Sequence, residues 1–319
     1  MTSIFHKAPL KVCPPLGGDP QSEGAAGPPL WRAHDAPPLP LVYQDDDLLV
    51  IDKPAGLLVH RTALDAHETD TVMSRLWREL GPRAPAGLTP VHRLDKGTSG
   101  LLVLACHAGA ARQLGQCLEQ GQARKAYLAL VRGWPEALTE VDHALARDPE
   151  LPSAGQPSLP AHSRVTRLAR VAWPFSVDGR HADSRYALVL AEPQQGRRHQ
   201  IRRHLKHIAH PIIGDATHGK GPHNRQVAAW LGLQRLWLHA WGLSLPHPDG
   251  RRQLRLLAPP GPAWQHLLQS GPWLDALDLD LDPLAPGGLA SARTPQAAAA
   301  RPGSGEPPTM QPPAPPLPP

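Results

Sequence analysis

The distribution of proline limits where this 319-residue chain can fold. Residues 1–40 and 283–319 hold 21 of the 40 prolines and few large apolar side chains. Segments of this composition bury too little apolar surface to offset the entropy that is lost on ordering. We therefore expect disordered extensions at residues 1–40 and 281–319. Between them, residues 41–280 are long enough to form a single domain around its own core.

Positive charge is concentrated in one segment of the chain. The formal net charge of the whole chain is +5 at pH 7. Residues 191–225 contain seven Lys or Arg residues and two acids, so this segment accounts for the whole of that excess. Such a concentration is typical of a protein that binds a polyanion such as nucleic acid, although a solvated basic face gives the same pattern.

Several classes of protein are excluded by features that the sequence lacks. No apolar run approaches the ~20 residues of a membrane helix, and no apolar segment follows Lys7 and Lys11 as it would in a secretory signal. The three cysteines form no Cys-x-x-Cys pair, which argues against a disulfide framework or a zinc site and favours the cytoplasm. Phosphate-binding glycine motifs are also missing, so we expect no nucleotide cofactor.

Strand-like and helix-like segments mix along the chain without the regular alternation of a doubly wound sheet. The patterns predict strands within residues 41–52, 100–105 and 125–133, and more strands after residue 184. Helices are predicted within residues 69–80, 110–120 and 198–209, and Thr69 or Asp70 is expected to cap the first. This mixture favours an α+β fold.

The basic helix predicted at residues 198–209 has two distinct faces. Its apolar side chains recur at helical spacing and should face the core: Ile201, Leu205 and Ile208. The same spacing places cations together on another stripe: Arg198, Arg202 and Lys206. We expect this second stripe to face the polyanion.

The stretch VHRLDKGTSGLLVLA, residues 91–105, places one carboxylate among cations just before a buried strand. A lone carboxylate such as Asp95 suits covalent catalysis at an electrophilic carbon, and catalytic groups often lie on loops of this kind. From these residues alone, a salt-bridged structural loop is the simpler interpretation. Tyr127 is likewise either a base-stacking ring or an ordinary core residue.

Four histidines lie in or near the basic helix: His199, His204, His207 and His210. Pairs of histidines at spacings of three or four residues can bind a metal ion. The Arg and Lys residues between them would repel a cation, and Asp215 is the nearest acid. We therefore expect no metal site here, and structural or RNA-contacting roles for these histidines.

Taken together, several stretches resemble the RluA-type pseudouridine synthases. They occur in the order and spacing of that family, from about Leu41 to about Leu268: DKPAGLLVH, HRLDKGTSGLLVLA, RKAYLALVRG and GRRHQIRRHLKHIAHPIIGD. The resemblance implies a central mixed, mostly antiparallel sheet flanked by helices, with an RNA-binding cleft. It also implies isomerisation of a uridine in RNA to pseudouridine, a reaction that requires no redox cofactor, ATP or metal.

The resemblance further implies roles for particular residues. Asp95 matches the catalytic aspartate, Arg202 the arginine that pairs with it, and Tyr127 the tyrosine that packs on the target base. Arg93 matches the side chain that fills the gap left by the extracted base, and His92 lies beside it in the same motif. The basic segment is expected to contact RNA phosphates through a further set of side chains: Arg197, Arg198 and Lys206.

Members of this family differ in the RNA that they modify. Details of the sequence resemble a group associated with uridine 65 in the T-arm of tRNA, so tRNA is the expected substrate. The alternatives are the same chemistry on large-subunit rRNA or on another tRNA position, and an RNA-binding module that has lost catalysis. We expect a cytoplasmic monomer that binds neither membranes nor metal ions.

Overall fold

The computed structural model describes residues 37–61, 67–152, 154–275 and 282–285. Its strands are β1 (Leu41–Gln44), β2 (Leu48–Lys53), β3 (Thr89–Pro90), β4 (Ser99–Ala105), β5 (Arg124–Arg132), β6 (Leu138–Asp142), β7 (Leu145–Ala146), β8 (Ser158–Leu159), β9 (His162–Trp173), β10 (Ser184–Pro193), β11 (Leu238–Pro246) and β12 (Gln253–Leu257). Its helices are α1 (Val72–Leu80), α2 (Ala108–Glu119), α3 (Gln200–His207), α4 (Gly221–Leu231) and α5 (Pro262–Gln269), and a 3₁₀ turn follows α1 at Gly81–Arg83.

One large sheet organises these elements. Its strand order is β1–β2–β4–β11–β5–β10–β9–β6, with β12 beside β11 and β3 beside β4. The pairing of β4 with β11 is parallel, and the other pairings in this sheet are antiparallel. The expectation of an α+β fold with a mixed, mostly antiparallel sheet is therefore confirmed. Strands β7 and β8 form a separate two-stranded sheet.

The core lies on both sides of this sheet because its central strands are buried on both faces. All seven residues of β4 are buried, as its continuous apolar sequence predicts. Helices α1 and α2 contribute Leu76 and Leu114 to the cluster around β2 and β4. Another cluster is rich in tryptophan and fills the space near β10 and β11: Trp173, Trp237, Trp241 and Trp264.

Helix α1 begins later than the sequence predicted. Its N-cap is Thr71, and not Thr69 or Asp70. The Thr71 hydroxyl accepts a hydrogen bond from the Ser74 amide at 3.1 Å, and the Ser74 hydroxyl accepts one from the Thr71 amide at 2.8 Å. This reciprocal pair satisfies two amides at the helix start. Asp70 cannot serve as the cap because its carboxylate pairs with Arg75.

Helix α3 does not present the cationic stripe that its spacing predicted. The helix begins at Gln200, so Arg198 lies before it. Ile201 and Leu205 are buried as expected, but the Arg202 side chain is also buried while Lys206 is exposed. Helical spacing alone cannot detect such a difference, because a buried arginine depends on acidic partners from other parts of the chain.

Gly100 lies where β4 runs closest to β11. Its φ is +106°, and a Cβ atom there would lie 2.2 Å from the carbonyl oxygen of Ala240. Only glycine adopts this backbone and fits this space without strain. The parallel pairing therefore depends on the absence of a side chain at this position.

We expect Gly100→Ala to lower the free energy of unfolding by about 2–3 kcal/mol, because the strands would have to separate. Gly115→Ala is the matched control, since Gly115 lies in α2 with open space around it. That change should raise stability by about 0.5–1 kcal/mol. Urea denaturation measures both, and equal effects of the two changes would contradict the close approach.

The predicted extensions at residues 1–40 and 281–319 lie almost wholly outside the described residues. Residues 37–40 of the first and 282–285 of the second are described. Leu39 is buried in the cluster around β2 and β4, and Leu284 is buried against the tryptophan-rich cluster. Among the described helices, none combines the length and the apolar character needed to cross a membrane.

Candidate active site

The loop that carries Asp95 is held in place by backbone contacts on two sides. The Thr98 amide donates to the Asp95 carbonyl at 3.0 Å, which closes a tight turn. The Gly56 amide donates to the Lys96 carbonyl at 2.8 Å, which ties the loop to the turn after β2. Because the buried strand β4 begins four residues later, Asp95 has a fixed position near the N-terminal end of that strand.

Lys53 lies beneath this loop and is fully buried. Its ammonium group donates to the carbonyls of Pro54, Leu57 and Lys96 at 2.8, 2.7 and 3.2 Å. Burial lowers the pKa of Lys53 to about 7, since the loss of hydration outweighs the attraction of Asp95. One side chain therefore joins the two loops on which the site is built.

We expect Lys53→Met to destabilise the protein, and to do so more strongly at pH 9 than at pH 7. The pKa of Lys53 is lower in the folded state than in the unfolded chain, so the unfolded chain binds more protons between about pH 7 and pH 10.5. The contribution of Lys53 to stability therefore rises with pH across this window. Urea denaturation of wild type and variant at both pH values tests this, and a difference that stays constant or shrinks would contradict it.

Arg202 joins Asp95 to a second carboxylate. One guanidinium nitrogen donates to Asp95 Oδ2 at 2.8 Å, and two others donate to Asp215 Oδ2 and Oδ1 at 2.7 and 2.8 Å. Burial alone would lower the pKa of Arg202, but the hydrogen bonds and charges of the two acids raise it above its usual value. The guanidinium is therefore permanently charged, and it leaves Asp95 Oδ1 without a bond from Arg202.

His199 approaches that other oxygen. Its Nε2 lies 3.7 Å from Asp95 Oδ1, and its Nδ1 lies 3.0 Å from Nε2 of His218. The backbone of His199 is left-handed, with φ 54° and ψ 27°, which costs about 1–2 kcal/mol for a residue with a side chain. Backbone strain of this kind concentrates at functional sites.

Tyr127 and Lys125 lie two residues apart on β5, so both side chains point to the same side of the sheet. Burial, and then the charge of Asp95, raises the pKa of Tyr127 above its usual value, so its hydroxyl stays protonated. Burial lowers the pKa of Lys125, whose ammonium donates to the Gln195 carbonyl at 3.0 Å. The two residues supply a ring and a cation to the same wall.

These groups enclose a cavity of about 350 Å³. The predicted site residues that line it are His92, Arg93, Asp95, Tyr127, Arg197, Arg198 and Arg202. Lys125 and His199 also line it, whereas Lys206 does not. Segments from three parts of the chain therefore meet at one concave site. Within it, a carboxylate and a guanidinium from residues 107 positions apart in sequence lie at hydrogen-bonding distance.

The residues predicted to contact RNA differ in their surroundings. Arg93 and Lys206 are exposed, and Arg197 is half-buried with its Nε donating to the Pro160 carbonyl. Arg198 forms ion pairs with Asp148 and with Glu150. Its charge is therefore already compensated within the protein.

His92 supports the loop from inside. Its Nε2 accepts a hydrogen bond from the Val103 amide at 3.1 Å. Burial lowers the pKa of His92 to about 4, so the ring is neutral. The neutral ring therefore ties the loop to β4.

The four histidines of the basic segment have separate partners. His199 contacts His218, as described above. His204 lies 2.9 Å from the Ser163 hydroxyl and 3.0 Å from the His143 carbonyl oxygen, His207 stacks on the His143 ring, and His210 lies 2.8 Å from the Arg132 carbonyl. These partners account for His204, His207 and His210 as structural side chains, whereas His199 lines the cavity.

In the described part of the chain, one group of side chains has ligand atoms close enough for a metal ion: Asp45, Asp47 and His247. The ring of His247 lies between Asp45 Oδ2 at 2.8 Å and Asp249 Oδ2 at 3.0 Å, and Arg252 donates to the same oxygen of Asp45. These contacts tie the turn after β1 to the turn after β11.

Sequence reasoning did not assign roles to Lys53, Asp215, His199 or His218 at this site. Asp215 could have been selected from the sequence, because it is one of two acids in a segment with seven cations. A buried acid in such a segment needs a cationic partner. For Lys53 and the two histidines, only the folded arrangement reveals the contacts.

Comparison with known proteins agrees with this geometry. A sequence model described as RNA pseudouridylate synthase matches residues 47–207, which include the Asp95 loop, Tyr127 and α3. The chain belongs to this family of enzymes. Solved structures also match: human RNA pseudouridylate synthase domain containing 1 has a TM-score of 0.58 and is 25% identical, covering 75% of this chain and 90% of that one. A second human structure, RNA pseudouridylate synthase domain containing 4, has a TM-score of 0.57 and supports the same fold.

Bacterial relatives of this RNA pseudouridine synthase are more similar in sequence. The tRNA pseudouridine synthase C of Vibrio cholerae is 40% identical over 244 residues, which cover 75% of this chain and 98% of that protein. The tRNA pseudouridine synthase C of Yersinia pestis is 40% identical over 240 residues, covering 74% of this chain and 91% of that protein. The aligned region is therefore long enough to hold the whole fold of these relatives.

Proposed function

We propose that this enzyme converts a uridine of tRNA to pseudouridine, with uridine 65 of the T-arm as its target. The observation that carries the proposal is the contact between Asp95 and Arg202 inside a cavity that Tyr127 also lines. The names of the similar bacterial proteins support tRNA as the substrate class. The catalytic domain is proposed to be residues 41–280.

Asp95 is the proposed catalytic carboxylate. Arg202 holds its Oδ2 by a hydrogen bond, which leaves Oδ1 for the substrate. That oxygen either attacks ribose C1′ to form a covalent adduct or takes the proton from C2′ to form a glycal, and either route breaks the bond between C1′ and N1. The uracil then turns and is joined to C1′ through C5. Substrate and product are isomers, so no cofactor enters the proposed scheme.

Tyr127 and Arg93 have proposed roles in handling the base. The Tyr127 ring packs against the uracil, and its protonated hydroxyl is a hydrogen-bond donor. The exposed Arg93 fills the space that the extracted nucleotide leaves in its helix. Removing a base from a stem costs a few kcal/mol of stacking and pairing, and a side chain in the gap recovers part of that free energy.

We expect Lys206 and Arg198 to contribute unequally to tRNA affinity. Lys206 is exposed and available to a phosphate, so Lys206→Gln should reduce the slope of log affinity against log salt by about one unit. Arg198 is already paired with Asp148 and Glu150, so Arg198→Gln should change the slope less. Filter binding at several salt concentrations measures both, and a larger effect from Arg198 would contradict this ranking.

The substrate is tested by mapping pseudouridine in RNA from cells with and without the gene. Carbodiimide treatment followed by reverse transcription locates each site. Loss of pseudouridine at tRNA position 65, and its return with a plasmid copy, is the expected result. Loss at a large-subunit rRNA position or at another tRNA position would replace the substrate while retaining the chemistry. If every site stays modified and no second enzyme makes them, the protein is better described as a binding module.

A further inference from the structure

Arg198 differs from the other cations of the cavity in its partners. Five Lys or Arg side chains line the described cavity: Arg93, Lys125, Arg197, Arg198 and Arg202. Within the described part of the chain, two of them form ion pairs with acids and the other three form none. The acidic partners of Arg202 belong to the proposed active site. The partners of Arg198 are Asp148 and Glu150, and neither of them lines the cavity.

The two ion pairs occupy both terminal nitrogens of Arg198. One of these nitrogens donates to Asp148 Oδ1 at 2.9 Å, and the other donates to Glu150 Oε1. Arginine uses pairs of nitrogens in the same way to hold the oxygens of a phosphate group. The third nitrogen, Nε, is buried and has no hydrogen-bond partner among the described residues. A phosphate that approaches Arg198 must therefore compete with the two carboxylates for the same two nitrogens.

The two acids lie on a short loop that holds its own shape. We call residues 148–152 and 154–156 the acidic lobe. The Gln156 side chain closes it: its Oε1 accepts a hydrogen bond from the Asp148 amide at 2.7 Å, and its Nε2 lies 3.0, 3.2 and 2.8 Å from the carbonyl oxygens of Asp148, Leu151 and Pro152. Strands β7 and β8 pair with each other at the base of the lobe. The lobe therefore keeps its conformation without help from Arg198.

The contact between the acidic lobe and Arg198 contributes little to the fold. Among the described residues, the bonds to Arg198 are the only side-chain hydrogen bonds that join the lobe to the rest of the protein. The side chains of Asp148 and Glu150 are 36% and 42% exposed. Ion pairs that water reaches to this extent stabilise a protein only slightly. Exchange of the carboxylates for a phosphate therefore costs little stability.

We propose that Asp148 and Glu150 compete with RNA phosphates for Arg198, and so keep this cation from adding to the affinity for tRNA. This inference rests on the proposed function, since it assumes that the RNA backbone passes the Asp95 cavity. The acidic lobe is then a competitor built into the enzyme. Uridine and pseudouridine have the same charge, so the lobe weakens the binding of substrate and product alike and does not select the target.

The experiment measures tRNA affinity after the two carboxylates are replaced by amides. Asp148→Asn combined with Glu150→Gln preserves the size of both side chains and removes both charges, so Arg198 becomes available to a phosphate. We expect the affinity for a tRNA transcript to rise about fivefold at ~0.15 M salt, and the slope of log affinity against log salt to steepen by about one unit, as for one added phosphate contact. Filter binding over a range of salt concentrations measures both quantities.

Further variants show whether the gain depends on Arg198. Adding Arg198→Gln to the double variant should return the affinity and the slope to near their wild-type values. Glu150→Gln alone should give a smaller gain in the same direction, which covers the case in which the double variant does not fold.

A matched control makes the same change in net charge elsewhere. Glu140→Gln combined with Asp142→Asn alters two exposed acids on or at the end of β6 and releases Arg164 from its ion pair with Glu140. None of these three residues lines the cavity. Because salt screens exposed charges that lie away from the bound RNA, the affinity should change less than about twofold.

Three results would overturn the inference. An affinity that does not rise would show that the carboxylates do not compete with RNA, and a slower single turnover in the same variant would assign them to the positioning of Arg198. A gain that the control reproduces would be an effect of net charge. A gain that persists after Arg198→Gln would show that the acids repel RNA directly. Failure of the wild-type protein to bind or modify any tRNA transcript would instead contradict the proposed function, so the two failures are distinguishable.

Discussion

Asp95→Asn should abolish pseudouridine formation while the protein still binds tRNA within a few-fold of wild type. The amide keeps the size and shape of the carboxylate but lacks both its charge and its nucleophilic oxygen. Loss of a group that reacts with the substrate lowers turnover by about 10⁴-fold or more. We expect binding to depend mainly on cations around the cavity and in the basic segment, and the substitution leaves these in place.

Release of tritium from tRNA labelled at uracil C5 measures this turnover, and filter binding measures the affinity. Asp46→Asn is the matched control, because Asp46 is an exposed acid in the turn between β1 and β2. It should retain full activity. Activity of Asp95→Asn near the wild-type rate would remove Asp95 from the mechanism, and a collapse of tRNA binding would show that its charge acts mainly in assembly of the site.

Arg202→Met should affect both activity and stability. It removes the hydrogen bond to Asp95 Oδ2 and leaves Asp215, whose side chain is fully buried, without its guanidinium partner. Loss of one member of a buried ion pair costs about 3–5 kcal/mol, because the remaining charge is uncompensated. Turnover should fall about 100-fold or more, since the hydrogen bond that orients the proposed catalytic carboxylate is lost.

The pH dependence of the free energy of unfolding should show whether the unpaired Asp215 causes the loss of stability in Arg202→Met. In the wild type, burial would raise the pKa of Asp215, but Arg202 lowers it below its usual value. The stabilisation is therefore present above the ordinary carboxyl range and is lost only in stronger acid. In the Arg202→Met variant, burial raises the pKa of Asp215. The free energy of unfolding of the variant should therefore rise relative to that of wild type as the pH falls from 7 to 5.

A double variant separates the two effects of Arg202. Asp215→Asn combined with Arg202→Met removes the unpaired charge and should restore much of the stability at pH 7, but it should not restore turnover. Urea denaturation and the tritium assay provide the two measurements. Restored turnover would mean that Arg202 acts only through the fold.

The sequence predicted the strands whose patterns are simple and did not predict β9. Strand β4 is continuous and apolar, and β5 alternates, so both were predicted. In β9 the pairing with β10 shifts at Leu168, since Leu188 is opposite Ala169 and Val189 is opposite Arg167. This bulge breaks the alternation on which strand prediction depends.

The site itself was predicted in part. The resemblance of four motifs brought Asp95, Tyr127 and Arg202 together, although 107 residues separate the acid from the arginine. The partners that hold these residues were not predicted. Loop carbonyls surround the ammonium of Lys53, and Arg202 pairs with the buried carboxylate of Asp215. These contacts depend on loop conformations, which cannot be predicted from the hydrophobic periodicity of the sequence.

The parallel pairing of β4 with β11 determines when the site can be completed during synthesis. Strand β4, which positions Asp95, is complete once residue 105 has been synthesised. Its neighbour β11 is complete only at Pro246. Until β11 has been synthesised and inserted between β4 and β5, the two halves of the sheet have no common strand, and Arg202 has no fixed position opposite Asp95. A nascent or truncated chain that contains every motif residue but ends before β11 should therefore be inactive on RNA.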